Sequence, residues 1–307
     1  MPRIVFFLVP NVHLLDLAGP AQVFSTARDL GYDYGLRYVA EAPDVPTAQG
    51  LPVRADVAWP DLRPDDVILV PGWRSPRRSA EPPLSPASQR VLRSHHAAGG
   101  TVASVCSGAD ALGAAGLLDG RRYTTHHALT DMMAARYPTS SIVRDVLYVE
   151  DDRVITSAGI ASGIDLCLHL VAVDCGAVAA ARVAREMVVY ARRNGDELQD
   201  SVMLRHRAHL NDLGHRVQDV IDSRFAERLP LRMLAADVGV SERTLTRAFT
   251  AATGLTPLRY QQLLRLERAE HLIGHGSTVE AAARAVGFDD ARMLRRLRHS
   301  GRTGPDH

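Results

Sequence analysis

A single thiol, that of Cys106, stands in the stretch S-V-C-S-G-A at residues 104–109, where the sequence predicts a buried strand that turns sharply into a helix. The small residues around it, Gly108 above all, permit the strained turn that lifts a side chain above the edge of a sheet. The N-terminus of the following helix would lower the thiol pKa and offer N–H groups to an anion. We therefore expect Cys106 to line a pocket, although a small, buried apolar residue is the alternative interpretation.

Two adjacent histidines, His126 and His127, come later in the same half of the chain. One imidazole, that of His126, could point into the pocket, and a structural role for both rings is the alternative. No second group of His, Cys or carboxylate residues accompanies them at metal-ligand spacing. We therefore expect neither a metal nor a cofactor.

Recognition of nucleic acid is predicted by residues 231–254. Apolar residues recur there at i, i+3, i+4 and i+7 in two successive segments separated by Gly239, which is typical of two short helices joined by a turn. Ser241 can cap the second helix. The outer face of that helix carries, at the same spacing, Arg243, Thr246, Arg247 and Thr250. Arginine and hydroxyl groups on an exposed helix suit a DNA major groove, and an ordinary helical hairpin is the alternative.

A second copy of this pattern spans residues 279–299 and favours DNA recognition over an ordinary helical hairpin. It repeats the apolar spacing and the central glycine, Gly287, and its outer face carries Arg292, Arg295, Arg296 and His299. Between the copies, Thr256 and Pro257 open a predicted helix through residue 273. About 18 residues at ~1.5 Å each span ~27 Å, near the ~34 Å between successive major grooves on one side of a duplex. The sequence thus predicts two readers on a rigid spacer.

Strands that alternate with helices are predicted to position the cysteine. Apolar runs predict strands at residues 4–9, 36–40, 53–59, 67–70, 101–105 and 153–157, with helices at 14–30 and 88–98 and two more within 160–190. This alternation implies a flavodoxin-like α/β domain, a parallel sheet with helices on both faces. A polar stretch around Gly195 follows. We divide the chain into a domain at 1–190, a linker at 191–204 and an all-α domain at 205–307.

Length and composition agree with two globular domains. The chain has 307 residues, a formal net charge of +1 and 46% hydrophobic residues, a balance that argues neither for nor against a nucleic-acid partner. Three cysteines do not form a disulfide framework, so we expect a reducing cytoplasm. Asp165, His169 and Asp174 interrupt the apolar stretch at 155–183, which predicts buried helices and no membrane span.

The last hundred or so residues resemble the AraC/XylS family of transcription regulators. The matching stretches are S-E-R-T-L-T-R-A-F at 241–249, G-L-T-P at 254–257, R-L-E-R-A at 265–269 and V-E-A-A-A-R-A-V-G-F at 279–288. The resemblance implies that Arg243, Thr246 and Arg247 contact bases or phosphates of double-stranded DNA in one groove. It implies the same for Arg292, Arg295 and Arg296 in the next. Arg298 stands where the family usually has a buried aromatic residue, which predicts a weaker or poorly ordered second motif.

Residues 2–190 resemble the DJ-1/PfpI branch of the class I glutamine amidotransferase fold. The matching stretches are L-L-D-L-A-G-P at 14–20, D-V-I-L-V-P-G at 66–72, the cysteine turn, G-L-L-D-G-R at 116–121, T-T-H-H at 124–127 and S-A-G-I-A-S-G-I-D-L at 157–166. The resemblance implies a DJ-1-like fold in which Asp16 reaches Cys106 and Gly72 offers a backbone site to an oxyanion or carboxylate. Ser107 stands where the protease-like enzymes carry histidine, which argues against hydrolysis. The candidate pocket comprises Asp16, Gly72, Cys106, Ser107 and His126.

Together the two resemblances indicate a cytoplasmic, sequence-specific transcription regulator whose first domain binds an unidentified small-molecule effector. They also imply a homodimer, and RNA polymerase as a further partner. Two alternatives remain open. One is a cysteine-dependent enzyme, isonitrile-hydrating or glyoxalase-like, with a vestigial C-terminal part. The other is a regulator that responds to oxidation of Cys106.

Overall fold

A computed structural model describes residues 2–74, 82, 84–159, 161–189, 195–196, 199, 201–274 and 276–301. The chain divides into two compact units, Met1–Gln199 and Asp200–His307. The predicted linker at 191–204 includes this division, but residues 191–194, 197–198 and 200 lie outside the described part. Its exact bounds therefore stay a prediction. Among the helices of the described ranges, none is long and apolar enough to cross a membrane.

The first unit alternates strands and helices along the chain, as predicted. Its elements are β1 (Arg3–Leu8), α1 (Leu14–Asp29), β2 (Gly35–Ala40), β3 (Asp44–Val45), β4 (Val53–Arg54), β5 (Val67–Val70), α2 (Pro86–Ala97), β6 (Thr101–Val105), α3 (Gly108–Ala114), β7 (Arg122–Tyr123), a 3-10 turn (His127–Leu129), α4 (Thr130–Arg136), β8 (Ser141–Ile142), β9 (Tyr148–Asp151), β10 (Val154–Ser157), α5 (Ser162–Cys175) and α6 (Ala177–Glu186).

Within the described residues, six strands form the main sheet in the order β2-β1-β5-β6-β10-β9. The first five run parallel, and β9 pairs antiparallel with β10 at one edge. In a parallel sheet the carboxyl ends of neighbouring strands meet at one edge, which is where such folds place their sites. The segments that follow β1, β5, β6 and β10 are therefore brought together there.

Helices cover both faces of this sheet, because successive side chains of a strand point to opposite sides. Ile4, Phe6 and Leu8 of β1 belong to a core with residues of α1, α5 and α6. Val5 and Phe7 belong to a second core, with residues of α2 and α3. The predicted α/β architecture with a doubly covered sheet is confirmed.

Several elements differ from the sequence prediction, and two of these differences concern strands next to predicted ones. The strand predicted at 53–59 forms only β4, which pairs antiparallel with β3. The hairpin between β9 and β10 was not predicted. Its two turn residues, Asp152 and Arg153, have φ of 46° and 59°, as a type I′ turn requires. The sequence lacks the glycine that usually marks such a turn, so the hairpin gave no local signal.

The second unit is helical. Its elements are α7 (Val202–Arg205), α8 (Asp212–Ser223), α9 (Leu231–Val238), α10 (Glu242–Thr253), α11 (Pro257–Gly274), α12 (Val279–Ala285) and α13 (Ala291–Gly301). Helices α9 and α10 form the first predicted helix-turn-helix, and α12 and α13 form the second. The all-α architecture with two such motifs is confirmed.

Helix α11 connects the two motifs and packs into two separate cores. Tyr260 and Leu264 belong to the core built with α8, α9 and α10. Ala269, further along α11, belongs to the core built with α12 and α13. The predicted spacer is therefore a structural element of both motifs, which fixes each of them to the same helix.

Candidate functional site

The turn at Cys106 has the strained geometry that its sequence predicted. Cys106 has φ of 58°, a value that non-glycine residues adopt rarely. Two hydrogen bonds support this backbone: the Cys106 N–H donates to the Ser157 carbonyl at 2.9 Å, and the Thr125 hydroxyl donates to the Cys106 carbonyl at 2.9 Å. Thr125 is fully buried. The strain is thus sustained by β10 and by the segment after β7.

Two glycines leave room for the thiol. A Cβ atom at Gly159, after β10, would lie 2.8 Å from Cys106 Sγ, and Gly159 has φ of 116°. A Cβ atom at Gly72, after β5, would lie 2.8 Å from Cys106 Cβ and 3.0 Å from Ser107 Oγ. No larger residue fits at either position without displacing the cysteine. Cys106 is itself only 7% exposed, so the thiol is closely enclosed.

Asp16, in the first turn of α1, reaches the cysteine as the family resemblance implied. Its side chain is fully buried and hydrogen-bonds to the Cys106 thiol. Burial, together with the charge of Asp16, raises the pKa of Cys106 to about 12, although the Ser107 N–H favours the thiolate. The expectation that the helix N-terminus lowers this pKa is therefore wrong, because burial and a neighbouring carboxylate outweigh it.

Ser107 closes the site on the side of β5. Its hydroxyl accepts a hydrogen bond from the Trp73 N–H at 2.8 Å and donates to the Trp73 carbonyl at 2.9 Å. The hydroxyl thus acts as both acceptor and donor, and it joins Trp73, which follows Gly72, to the cysteine turn. Ser107 has a positioning role here, at the place where the resemblance puts an enzymatic histidine.

His126 lies in the segment that supports the turn. Its Nδ1 accepts a hydrogen bond from the Ala128 N–H at 3.2 Å, and its ring lies 4.1 Å from that of His127. The ring is half-buried. The contact to the cysteine backbone comes from the preceding residue, Thr125. A role for His126 in the pocket stays a prediction.

The first helix-turn-helix presents its predicted face. Leu245 and Phe249 of α10 are fully buried, and the Ser241 hydroxyl caps the helix by accepting from the Thr244 N–H at 3.2 Å. The side chains of Arg243 and Arg247 are exposed. Thr246 is half-buried, and its hydroxyl donates to the Glu242 carbonyl at 2.9 Å.

The second helix-turn-helix carries a different charge pattern. Helix α13 packs through Leu294 and Leu297, and the Asp290 carboxylate accepts from the Arg292 N–H at 2.7 Å. Arg292, Arg295 and Arg296 are exposed. Arg295 pairs with the carboxylate of Glu280 on α12, whereas the arginines of α10 form no ion pair with the residues that the structure describes.

Arg298 pairs with Glu270 of α11, its Nε lying 3.7 Å from the carboxylate. Its side chain is 39% exposed. A charged residue at this position is accommodated by an ion pair at the edge of the small core that contains Leu297. Helix α13 continues beyond it to Gly301.

A depression lies between the two motifs. Its volume is about 750 Å³, and its lining includes Thr246 of α10, Gln261 and Arg265 of α11, and Asp289, which precedes α13. The depression is thus bordered by α10 and by the turn that precedes α13. That the two recognition helices face a common side of the unit stays a prediction.

Sequence reasoning missed four residues that organise these surfaces: Thr125, Gly159, Gln199 and Arg265. Gly159 follows a buried strand within a run of small residues, a signal that was available. Arg265 follows Gln261 by four residues, and two polar side chains on the packed face of one helix also give a signal. Thr125 and Gln199 act through contacts with distant segments, and no local pattern marks them.

The fold and the two surfaces define a two-part protein, in which an α/β unit with an enclosed cysteine is joined to a helical unit with paired helix-turn-helices. The model of the DJ-1/PfpI family matches residues 2–173, and that of a helix-turn-helix domain matches residues 234–299. The chain belongs to the DJ-1/PfpI family, and its C-terminal part is an AraC-type helix-turn-helix domain. Both predicted resemblances are confirmed.

Similar proteins combine or separate these parts. The HTH-type transcriptional regulator CdhR of Pseudomonas aeruginosa is 28% identical over 297 residues, which cover 95% of this chain and 86% of that protein. Isonitrile hydratase of Pseudomonas putida is 36% identical over 172 residues, 55% of this chain and 70% of that enzyme. The crystal structure of an AraC family transcriptional regulator from Pseudomonas putida superimposes with a TM-score of 0.52 at 22% identity, covering 61% of this chain and all of that one. This last likeness concerns the fold alone.

Proposed function

We propose that the protein is a sequence-specific, DNA-binding transcription regulator. Helix α10 reads one major groove and α13 the next, while a small-molecule effector binds the first unit near Asp16, Gly72 and Cys106. The regulator acts in the cytoplasm as a homodimer and influences RNA polymerase at the promoter. The effector changes DNA affinity by binding two arrangements of the protein with different strength.

The observation that carries this proposal is the charge on α10. In the described part of the chain, the guanidinium groups of Arg243 and Arg247 form no ion pair, although acidic residues are as frequent as basic ones overall. Two exposed cations on a helix that is fixed by its opposite face suit contacts to base edges and phosphates. The likeness to CdhR along nearly the whole chain supports the same function.

The two motifs are not equivalent in this proposal. Arg295 of α13 pairs with Glu280, so a DNA phosphate has to compete with that carboxylate. No such competitor faces Arg243 or Arg247 among the described residues. We therefore assign the larger share of affinity to α10 and a supplementary contact to α13.

The test is binding of the purified full-length protein to the DNA that flanks its own gene, followed by fluorescence anisotropy. Arg243→Ala combined with Arg247→Ala removes two side chains, each worth roughly 1–3 kcal/mol against the wrong base. We expect Kd to rise at least ~30-fold. The slope of log Kd against log salt should fall by ~1 for each phosphate that the variant no longer binds.

A matched control removes the same charge from the first unit. Arg90→Ala combined with Arg185→Ala changes two exposed arginines of α2 and α6, and should leave Kd within about twofold of wild type because neither arginine belongs to a helix-turn-helix motif. Unchanged discrimination between specific and scrambled DNA in the Arg243/Arg247 variant contradicts the proposal.

Enzymatic activity is the second candidate function, and the contact between Asp16 and Cys106 favours it. The likeness to isonitrile hydratase suggests the reaction to assay, addition of water to an isonitrile to give an N-substituted formamide. A thiol with a pKa of about 12 is protonated at neutral pH, and only the thiolate is nucleophilic. We therefore expect no turnover. Turnover that Cys106→Ala abolishes would establish the enzyme instead.

Oxidation of Cys106 is the remaining alternative to a metabolite effector. Peroxide converts a thiolate to a sulfenic acid, and the same high pKa makes this step slow. DNA affinity should therefore not respond to peroxide. A response that Cys106→Ser removes would favour the redox sensor.

A further inference from the structure

Gln199, the last residue of the first unit, uses its whole side-chain amide in hydrogen bonds. Its Nε2 donates to the carbonyl of Thr125 at 3.0 Å and to that of Val146 at 3.1 Å. Its Oε1 accepts from the His127 N–H at 2.9 Å. One amide thus joins two separate segments of the α/β unit to the position at which the chain enters the second unit.

Gly195, four residues before Gln199, is fastened to the neighbouring residues of the α/β unit. The Gly195 carbonyl accepts from the Leu147 N–H at 2.7 Å and the Tyr148 N–H at 3.1 Å. A Cβ atom at Gly195 would lie 2.6 Å from the Tyr148 ring, so the backbone approaches closely. Gly195 and Gln199 are therefore both docked beside the start of β9, and these two residues are called the docked segment.

Thr125 links this docking site to the cysteine turn. Its hydroxyl donates to the Cys106 carbonyl at 2.9 Å, while its own carbonyl accepts from Gln199. The side chain of Thr125 is fully buried, so water cannot replace either bond. The turn at Cys106 and the docked segment are thus separated by one residue.

We propose that Gln199 is the positioning residue through which the state of the Cys106 turn controls the second unit. An effector that binds against Cys106 meets a side chain that is only 7% exposed and that the backbone at Gly72 and Gly159 approaches closely, so its binding shifts the turn. That displacement moves the Cys106 carbonyl, and with it Thr125. The hydrogen bonds of Gln199 then weaken, and the docked segment is released. This inference rests on the proposed function, because DNA affinity is its output.

The test uses variants of the full chain that break one bond at a time. Thr125→Val keeps the shape of the side chain and removes the hydroxyl that donates to Cys106, and Thr125→Ser restores it. Gln199→Glu keeps an acceptor for the His127 N–H but places a carboxylate oxygen against two carbonyls. The matched control is Gln89→Glu on α2, the same chemical change in a half-buried glutamine.

The first readout is amide hydrogen exchange in the peptides that contain His127, Leu147 and Tyr148, whose N–H groups are the donors to the docked segment. We expect exchange to be at least ~5-fold faster in Thr125→Val as well as in Gln199→Glu, because release of the docked segment opens these amides. Thr125→Ser and Gln89→Glu should exchange like wild type. Unchanged exchange in Thr125→Val overturns the relay.

The second readout is Kd for the DNA flanking the gene, measured as a double-mutant cycle. Each single variant should shift Kd by at least ~3-fold, and Thr125→Val should change it by less than ~1.5-fold once Gln199→Glu is present, because coupled residues are not additive. If the two substitutions act independently, so that their fold-changes in Kd multiply, the inference is overturned while the proposed function as a regulator still stands. A wild-type protein that does not distinguish its own flanking DNA from scrambled DNA contradicts the proposed function, and the inference with it.

Discussion

Replacement of Arg265 should separate the two DNA-reading motifs from each other. The guanidinium donates through Nε to the Phe225 carbonyl at 2.7 Å and through Nη2 to the Glu227 carbonyl at 2.7 Å, both in the turn before α9. Its Nη1 donates to the Gly287 carbonyl at 2.6 Å, in the turn between α12 and α13. One side chain of α11 therefore bridges the segment that precedes the first motif and the turn of the second.

The approach of these turns is close enough to require glycine. Gly287 has φ of 83°, and a Cβ atom there would lie 2.7 Å from the carbonyl carbon of Ala226. The guanidinium also lies 5.5 Å from the centre of the Phe288 ring. Arg265 thus helps to fix the separation of the two motifs through donors on three nitrogens of a planar group, whereas a lysine carries its three donors on one nitrogen.

The loss of stability on replacing Arg265 depends on which of its hydrogen-bond acceptors keep another donor. Gln261 Nε2 also donates to the Phe225 and Glu227 carbonyls, at 2.8 Å each, so these two acceptors keep a partner when Arg265 is removed. The bond to Gly287 and the stacking on Phe288 have no such substitute. A bond to a charged donor contributes about 1.5–3 kcal/mol, and a partly exposed cation–π interaction about 0.5–1 kcal/mol. Arg265→Ala should therefore lower the free energy of unfolding by roughly 2–4 kcal/mol, and Arg265→Lys by less.

The informative assay compares two DNA duplexes, one with both half-sites and one with the α10 half-site alone. When both motifs are fixed, the second binds at a high effective concentration, and this advantage falls once their separation varies. Arg265→Lys should raise Kd for the complete site ~10-fold and for the half-site less than ~2-fold. Arg268→Lys, at an exposed arginine of the same helix, is the control. Equal increases of Kd on both duplexes, or none on either, would refute this account of Arg265.

Two further outcomes follow from titratable groups of the first unit. Asp16→Asn removes the carboxylate that helps to raise the Cys106 pKa, so alkylation of Cys106 by iodoacetamide at pH 8 should become faster. The exposed Cys175 should react as before. An unchanged rate at Cys106 contradicts the role assigned to Asp16. Burial opposes ionisation of Asp66, but hydrogen bonds from Arg3 and from the Arg63 N–H prevail and lower its pKa to about 2. The ionised Asp66 carboxylate therefore stabilises the fold fully above about pH 3.8, and this stabilisation is lost as the pH falls towards 2. The difference in the free energy of unfolding between wild type and Asp66→Asn, measured by urea titration, should therefore shrink below pH 4.

Elements whose signal is local could be predicted closely. Strands β5 and β6 were placed at their observed residues, because each is a continuous apolar run bounded by a turn. Ser241 was predicted as a cap and accepts the expected hydrogen bond. The Cys106 turn was also identified, since small residues after a buried strand leave few other conformations.

Features that depend on distant segments could not be predicted. The pKa of Cys106 was expected to fall because the helix N-terminus is adjacent in sequence, whereas burial by distant segments and, after it, the Asp16 carboxylate on α1 raise that pKa. Thr125 and Gln199 have no periodic pattern, and only their contacts reveal a role. The sheet-edge hairpin at Asp152 and Arg153 was missed for a different reason, since its turn uses residues that seldom adopt positive φ.

The arrangement of charges limits how an effector can act. Within the helical unit, Arg243 and Arg247 have no acidic partner among the described residues, so an effector cannot increase DNA affinity by breaking an ion pair on α10. A change in the separation of the motifs would also cost free energy, because Arg265 and two cores fix both motifs to α11. In the proposed regulator, control therefore acts on the helical unit as a whole. Gln199 ends the α/β unit, and its hydrogen bonds beside the Cys106 turn are the proposed route of that control.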